Sequence, residues 1–293
     1  MTFDLIVTAR NHNFEILRFL NSIVKQKEDI KIRILFANQE VLFRSEELNF
    51  LQLFPSIQLI SKDIPLSPLS HARNMAIDLG LQSEIVGFPD DDCWYSPDVL
   101  ASLSRKFKER LDVDCICTNV FDPIKNISYG SRPVNKEQVV GYHNIFTLPV
   151  SVGIFIRRSA LEKIGTYFRK DMGVGTNIGS GEETELISRL LSNNFKILYV
   201  GSISVYHPSY DLENSTIDKF YKYGFGYGYL STSFIINGKY IVILDWLKTT
   251  IKSLIACIIY LPKIHKKLLY FNRLKGVIDG TIYFINVARS NKK

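Results

Sequence analysis

Four short apolar runs, at residues 5–8, 32–37, 57–60 and 85–88, alternate with segments of helical periodicity. Ile16, Leu17, Leu20, Ile23 and Val24 recur at helical spacing after the first run, and Leu69, Ala72, Met75, Ala76 and Leu79 after the third. A further helical stretch fits 46–53, and Gly80 closes the helix after the third run. After the fourth, Ser96 and Pro97 stand where a helix cap and first turn belong, followed by Leu100, Leu103 and Phe107 as a buried stripe. Runs of four to six apolar residues are strand-sized, and strands alternating with amphipathic helices build a mostly parallel sheet covered on both faces. Such sheets bind ligands beyond the carboxyl ends of their strands. Arg10, Asn11, Asn38 and the run Asp90-Asp91-Asp92 all fall at those ends. They are expected to line one crevice.

The later chain reads as strands at 113–118 and 150–156, a short helix at 159–164, and a loop at 171–181 holding four glycines, expected to be mobile. A helix at 182–193 follows, with Leu186, Leu190 and Leu191 inward, then strands at 196–200 and 203–206 leading into His207-Pro208. Beyond Asn214 the pattern is helical and increasingly apolar. The expected division is an α/β domain over 1–212 and a helical segment over 213–293. The 46% apolar content can fill a core of that size, which excludes a disordered chain.

Three adjacent carboxylates repel one another, and burying them unpaired is costly. A divalent cation relieves that repulsion, and oxygen ligands suit Mg²⁺ or Mn²⁺. The alternative for Asp90-Asp91-Asp92 is an exposed loop capping the next helix, but the apolar strand before it and the capped helix after it favour a site. Arg73, in the first turn of its helix, either holds a phosphate or is a surface residue. Glu182 and Glu183 follow a glycine loop, where one of them could act as general base; acidic residues also favour a helix N-terminus for electrostatic reasons alone. His207 at a strand end is either structural or, if it lies near the acidic run, a further metal ligand.

These segments, in this order, resemble glycosyltransferase family 2, the inverting family with the GT-A (Rossmann-like) fold. The opening Ile6-Val7-Thr8-Ala9-Arg10-Asn11 resembles the family's first strand and turn, and Ala72-Arg73-Asn74-Met75-Ala76 its Ala-Arg-Asn element. Phe88-Pro89-Asp90-Asp91-Asp92 resembles its metal motif, Gly181-Glu182-Glu183-Thr184-Glu185-Leu186 its acceptor motif, and His207-Pro208 its later His-Pro. The resemblance covers roughly residues 3–210. It implies a metal-dependent transfer from a nucleotide-sugar, with inversion, to a hydroxyl of a glycan or lipid-linked glycan in cell-surface polysaccharide synthesis, such as capsule. It also implies Mn²⁺ or Mg²⁺ on Asp92 and Asp90, with His207 as a third ligand. Thr8, Arg10, Asn11, Asn38, Arg73, Asp90 and Asp91 would contact the donor, and Glu183 or Glu182 would be the base. The chain departs from the pattern at Ala37-Asn38-Gln39, where paired aspartates usually recognise the base, and at Glu183, where an aspartate is usual. An Asn carbonyl can still accept from a pyrimidine N–H. Rival readings are a nucleotidyltransferase, weakened by the lack of glycine in the first turn, and a non-catalytic sugar-binding domain, weakened by the intact acidic motifs.

Net charge is +7, but the part from Lys239 onward carries +9 and the rest −2. Leu244, Leu247, Ile251, Leu254, Ile255 and Ile258 form a stripe at helical spacing, with Asp245, Lys248, Thr249, Lys252 and Ser253 opposite. The charges make this a poor transmembrane span. Either the stripe packs on the enzyme, or the helix lies on an anionic membrane. An aliphatic basic segment does not suit nucleic acid. The four cysteines form no metal or redox motif, and the N-terminus lacks signal-peptide character, so the expected location is cytoplasmic, peripheral on the inner membrane face.

Overall fold

The computed structural model describes residues 1–10, 14–27, 30–40, 48–209 and 211–290. Ten strands form one mixed sheet: β1 (Thr2–Ala9), β2 (Lys31–Gln39), β3 (Ile57–Ile64), β4 (Ile85–Gly87), β5 (Trp94–Tyr95), β6 (Cys115–Asp122), β7 (Ile127–Ser128), β8 (Glu137–Val139), β9 (Ile154–Arg157) and β10 (Ile197–Tyr206). Their order is β3-β2-β1-β4-β9-β6-β10-β5, with β7 beside β6 and β8 beside β10. The first four are parallel, and β9 runs antiparallel between β4 and β6. The expected mostly parallel α/β sheet is therefore present. The two strands expected at 196–200 and 203–206 are one strand, whose register against β6 shifts between Val200 and Ser204. The strand expected from residue 150 starts at Ile154, after a 3₁₀ turn over Ser151–Gly153.

β1 is buried from Phe3 to Ala9 because it is covered on both faces. Its one charged residue, Asp4, is fully buried and fully engaged. It accepts from Arg33 Nη1 at 2.9 Å and from the backbone N–H groups of Gln82 and Ser83 at 2.7 and 3.0 Å. Helices α1 (Phe14–Ile23), α2 (Leu69–Ile77), α3 (Val99–Glu109) and α4 (Arg158–Lys163) connect the strands. In α1, Ile16, Leu20 and Ile23 are buried, and in α3 Leu100, Leu103 and Phe107, as their spacing predicts; Phe19 is buried as well, and the expected Leu17 and Val24 are half-buried. α3 begins at Val99 rather than Pro97, because Ser96 instead accepts the Val99 N–H in a turn. In α2 the buried set is Ser70, Ala72, Arg73, Ala76 and Ile77; of the expected stripe Ala72 and Ala76 are buried, while Leu69, Met75 and Leu79 are half-buried. Gly80 ends the segment with φ +102°, a backbone state that favours glycine.

The chain forms two compact units. The first is Met1–Phe168 with Leu186–Ser209 and contains the whole sheet. The second is Arg169–Glu185 with the described part of Tyr210–Lys293. The sequence suggests a single cut near residue 212; in these two units the glycine loop groups with the C-terminal helices. The boundary falls inside helix α5 (Glu182–Ser192). The second unit also holds α6 (Ile217–Ile236), α7 (Val242–Ile259) and α8 (Ile264–Ser290). α6 and α8 approach through opposed glycines. A Cβ on Gly224 or Gly228 would lie 2.1 Å from the carbonyl oxygen of Arg273 or Val277, and one on Gly276 or Gly280 would meet that of Tyr221 or Phe225 at 2.2 or 2.1 Å.

Candidate active site

The carboxyl ends of β3, β2, β1 and β4 lie side by side because the four strands are parallel. This edge brings together Asp63, Asn38, the buried Thr8, the exposed Arg10 and, just past β4, Asp90. Asn11 lies outside the described residues. Asn38 is 2% exposed, and its Nδ2 donates to Asp63 Oδ1 at 2.7 Å. A carboxylate only accepts here, so this bond fixes which way the amide faces. Asp63 was not foreseen. It stands on β3 opposite Asn38 in register, and supplies from the neighbouring strand a carboxylate that β2 lacks.

The acidic run turns directly into β5, and Trp94 of β5 pairs antiparallel with Tyr206 of β10. This pairing sets His207 opposite the run although it is over a hundred residues away. His207 Nε2 lies 3.1 Å from Asp92 Oδ1, and ligand atoms of Asp90, Asp92 and His207 all fall within 4.8 Å of one another. The other ring nitrogen, Nδ1, sits 2.7 Å from the Pro208 carbonyl oxygen. A carbonyl can only accept, so Nδ1 donates to it, and Nε2 is the nitrogen facing the two carboxylates, donating to Asp92 when the ring is protonated and able to ligate a metal when the ring is neutral. Two carboxylates and an imidazole at this spacing could hold a divalent cation. Asp91 is half-buried beside them.

In the absence of metal, the electrostatics are those of an ion pair. Burial opposes ionisation of Asp92, but the hydrogen bond and charge of His207 outweigh it, leaving the carboxyl below its ordinary range. Burial likewise opposes protonation of His207, and Asp92 and Asp90 reverse that, raising it above the usual histidine value. Arg18 of α1, also not foreseen, donates to the Asp92 carbonyl oxygen at 2.8 Å and stacks 3.7 Å over the Trp94 ring. Arg73 is not on the surface. It is 1% exposed, its Nη2 donates to Asp90 Oδ1 at 2.6 Å, and its guanidinium sits 5.4 Å over Phe168. Its observed partner is thus the first aspartate of the run. Asp122, at the end of β6, accepts from the N–H groups of Ile124, Lys125 and Ser209, and so tethers the chain two residues past His207.

The profile of glycosyl transferase family 2 matches residues 4–165, more than half of the chain. The chain belongs to this family. No curated protein matches it in sequence. Among solved structures, this transferase is similar to a crystal structure of S. aureus TarS, at TM-score 0.57 and 14% identity over 99% of this chain and 92% of that one. A longer TarS structure matches at TM-score 0.61 and 14% identity, covering 97% of this chain and 55% of that one. A third, TarS in complex with UDP-GlcNAc, matches at TM-score 0.55 and 14% identity over 99% and 92%. At such identity the likeness establishes the fold, the GT-A type that the motifs implied.

In the second unit of this family member, Glu182 and Glu183 open α5 after Gly181, whose φ is +93°. Glu182 is 5% exposed and Glu183 is half-buried. α7 is turned opposite to a helix that hides its apolar side. Ser253 and Val242 are buried and Asp245 accepts from Tyr227, while Leu244, Leu247, Ile251, Leu254, Ile255 and Ile258 are 44–67% exposed. Among the described residues, no helix is long and apolar enough to cross a membrane.

Proposed function

We propose that this family 2 glycosyltransferase transfers a sugar, with inversion, from a nucleoside-diphosphate sugar to a hydroxyl of a glycan or lipid-linked glycan. The convergence of Asp90, Asp92 and His207 carries the reading. Two of these lie in the family's metal motif, and the third lies beyond the residues that the family profile matches. These three residues would hold Mn²⁺ or Mg²⁺, and a cation bound there supplies positive charge against a departing diphosphate. Arg73 holds the Asp90 carboxylate in place and balances its charge. Asn38, oriented by Asp63, would accept from a nucleobase N–H, while Thr8, Arg10 and Asp91 would line the donor path. TarS in complex with UDP-GlcNAc supports a uridine diphosphate sugar as the donor class.

Glu183 is the better candidate for the base. A group that takes a proton from an incoming hydroxyl must be reachable, and Glu183 is the more accessible of the pair. As Glu183 accepts the proton, the acceptor oxygen attacks the anomeric carbon from the face opposite the leaving group, which inverts its configuration.

The acceptor reading includes a membrane. The outward stripe of α7, beside exposed Lys248 and Lys252 and followed by Lys263, fits the surface of an anionic bilayer. A helix whose apolar side faces away from its own unit has lost the usual reason for that pattern in water. The enzyme would thus work peripherally on the cytoplasmic membrane face, where lipid-linked glycans are extended.

The test is a panel of UDP-sugars with Mn²⁺, read as UDP release. Metal-dependent release from one of them is expected. No release from any, together with pyrophosphate formed from a nucleoside triphosphate and a sugar phosphate, would replace this reading with the nucleotidyltransferase one.

A further inference from the structure

The glycine loop before Glu182 and Glu183 lies along one face of α6. A Cβ on Gly179 would meet Lys222, one on Gly181 would meet Leu230, and one on Gly226 would meet Ser180. Lys222, Gly226 and Leu230 are spaced four apart, so they form one line along the helix. The centre of that line is the tightest. A Cβ on Gly226 would lie 2.3 Å from Ser180 Oγ and 2.4 Å from the Ser180 carbonyl oxygen. Ser180 Oγ also donates to the Lys222 carbonyl oxygen at 3.0 Å. The start of the loop is held on the same helix. Arg169 pairs with Asp171 and donates to Tyr229 Oη at 3.1 Å. Within the loop, Gly173 N–H donates to the Ile178 carbonyl at 2.8 Å and Ile178 N–H to that of Asp171 at 3.1 Å.

Nothing in the chemistry of the proposed reaction requires α6 to carry a glycine at 226. The geometry does, because only a missing side chain lets the Ser180 backbone rest on the helix. We infer that Gly226 is a positioning residue of the reaction: it seats Ser180, and thereby sets where α5 begins and where Glu183 presents its carboxylate. This rests on the reading of Glu183 as the base. Glu183 follows Ser180 by three residues, so a loop lifted by the bulk of a methyl group carries Glu183 with it. Misplacing a catalytic group by about 1 Å can cost on the order of 10²-fold in rate.

The experiment compares Gly226→Ala, Ser180→Ala, Glu183→Gln and the double variant Gly226→Ala/Glu183→Gln in the whole protein. UDP release is followed with the UDP-sugar turned over fastest. Titration with UDP and Mn²⁺ measures donor-side binding, and hydrogen exchange follows the amides of residues 178–185. Gly226→Ala should lower kcat about tenfold or more with UDP affinity unchanged, and Ser180→Ala should lower it less. Exchange should quicken at 178–185 while α6 keeps its protection. In the Glu183→Gln background, Gly226→Ala should cost little further, because both changes act through the same carboxylate. A misfolded variant would instead lose UDP affinity and protection throughout. Wild-type kcat in Gly226→Ala with Glu183→Gln inactive overturns the seat and keeps the base. Full activity in Glu183→Gln removes the base reading itself. If no UDP-sugar is turned over, unchanged exchange at 178–185 in Gly226→Ala still refutes the seat.

Discussion

Replacing Gly280 with alanine should destabilise the protein, although alanine is the better helix former. In a helix interior the exchange by itself favours the folded state by about 1 kcal/mol. Against this, the new Cβ would lie 2.1 Å from the Phe225 carbonyl oxygen, 2.9 Å from its carbon and 3.0 Å from the Tyr229 nitrogen. A carbon rests at roughly 3.3 Å or more from a carbonyl oxygen. α8 must therefore move away from α6 by about 1 Å, since backbone atoms cannot rotate aside. A gap of that size forfeits up to about half of the attraction between facing atoms. The loss spreads along the contact because Gly224, Gly228 and Gly276 make the same close approach. Overpacking typically costs about 1–3 kcal/mol, and a rigid neighbour puts this site at the upper end. The expected net destabilisation is about 2 kcal/mol. Urea unfolding followed by circular dichroism should show a lower midpoint at an unchanged slope. Stability equal to or above the wild type would refute the argument that the glycines are there to let the two backbones meet.

Asp92→Ala and His207→Ala should each weaken Mn²⁺-dependent UDP binding in calorimetric titration while leaving thermal unfolding nearly unchanged; wild-type affinity in both would remove the metal assignment. Asp122 is buried, which disfavours its charge, yet the N–H groups of Ser209, Lys125 and Ile124 hold its pKa at about 2 against an ordinary 3.8. A carboxyl lowered on folding stabilises above the ordinary value and loses that contribution as pH falls through the folded one. Denaturant melts should therefore show the wild type losing more stability than Asp122→Asn between about pH 4 and pH 2, and parallel losses would contradict this. The full chain should sediment with vesicles containing phosphatidylserine, less so at high salt, and Leu247→Glu with Ile251→Glu should prevent sedimentation at any salt. A wild type that stays in the supernatant with such vesicles would show that the exposed stripe is not a lipid-binding face.

What the sequence determined was everything carried by short-range period. β1, β2, the buried stripes of α1 and α3, and the acidic run at a strand end follow from neighbours a few residues apart, and the ordered motifs identified the family. What it could not contain was pairing between distant segments. Asp63 reaches Asn38 only through the register of β3 on β2, and His207 reaches Asp92 only because β5 folds back on β10. For Arg73 the sequence left open a phosphate contact or a surface position and did not show its burial against Asp90, because spacing names the faces of a helix without saying which one is covered. The same limit applies to α7, whose apolar stripe was legible to the residue while its outward direction was not. The glycines of α6 and α8 carry the reason most plainly. A glycine records only the absence of a side chain, and the backbone that fills the space comes from another part of the chain, brought there by the tertiary fold.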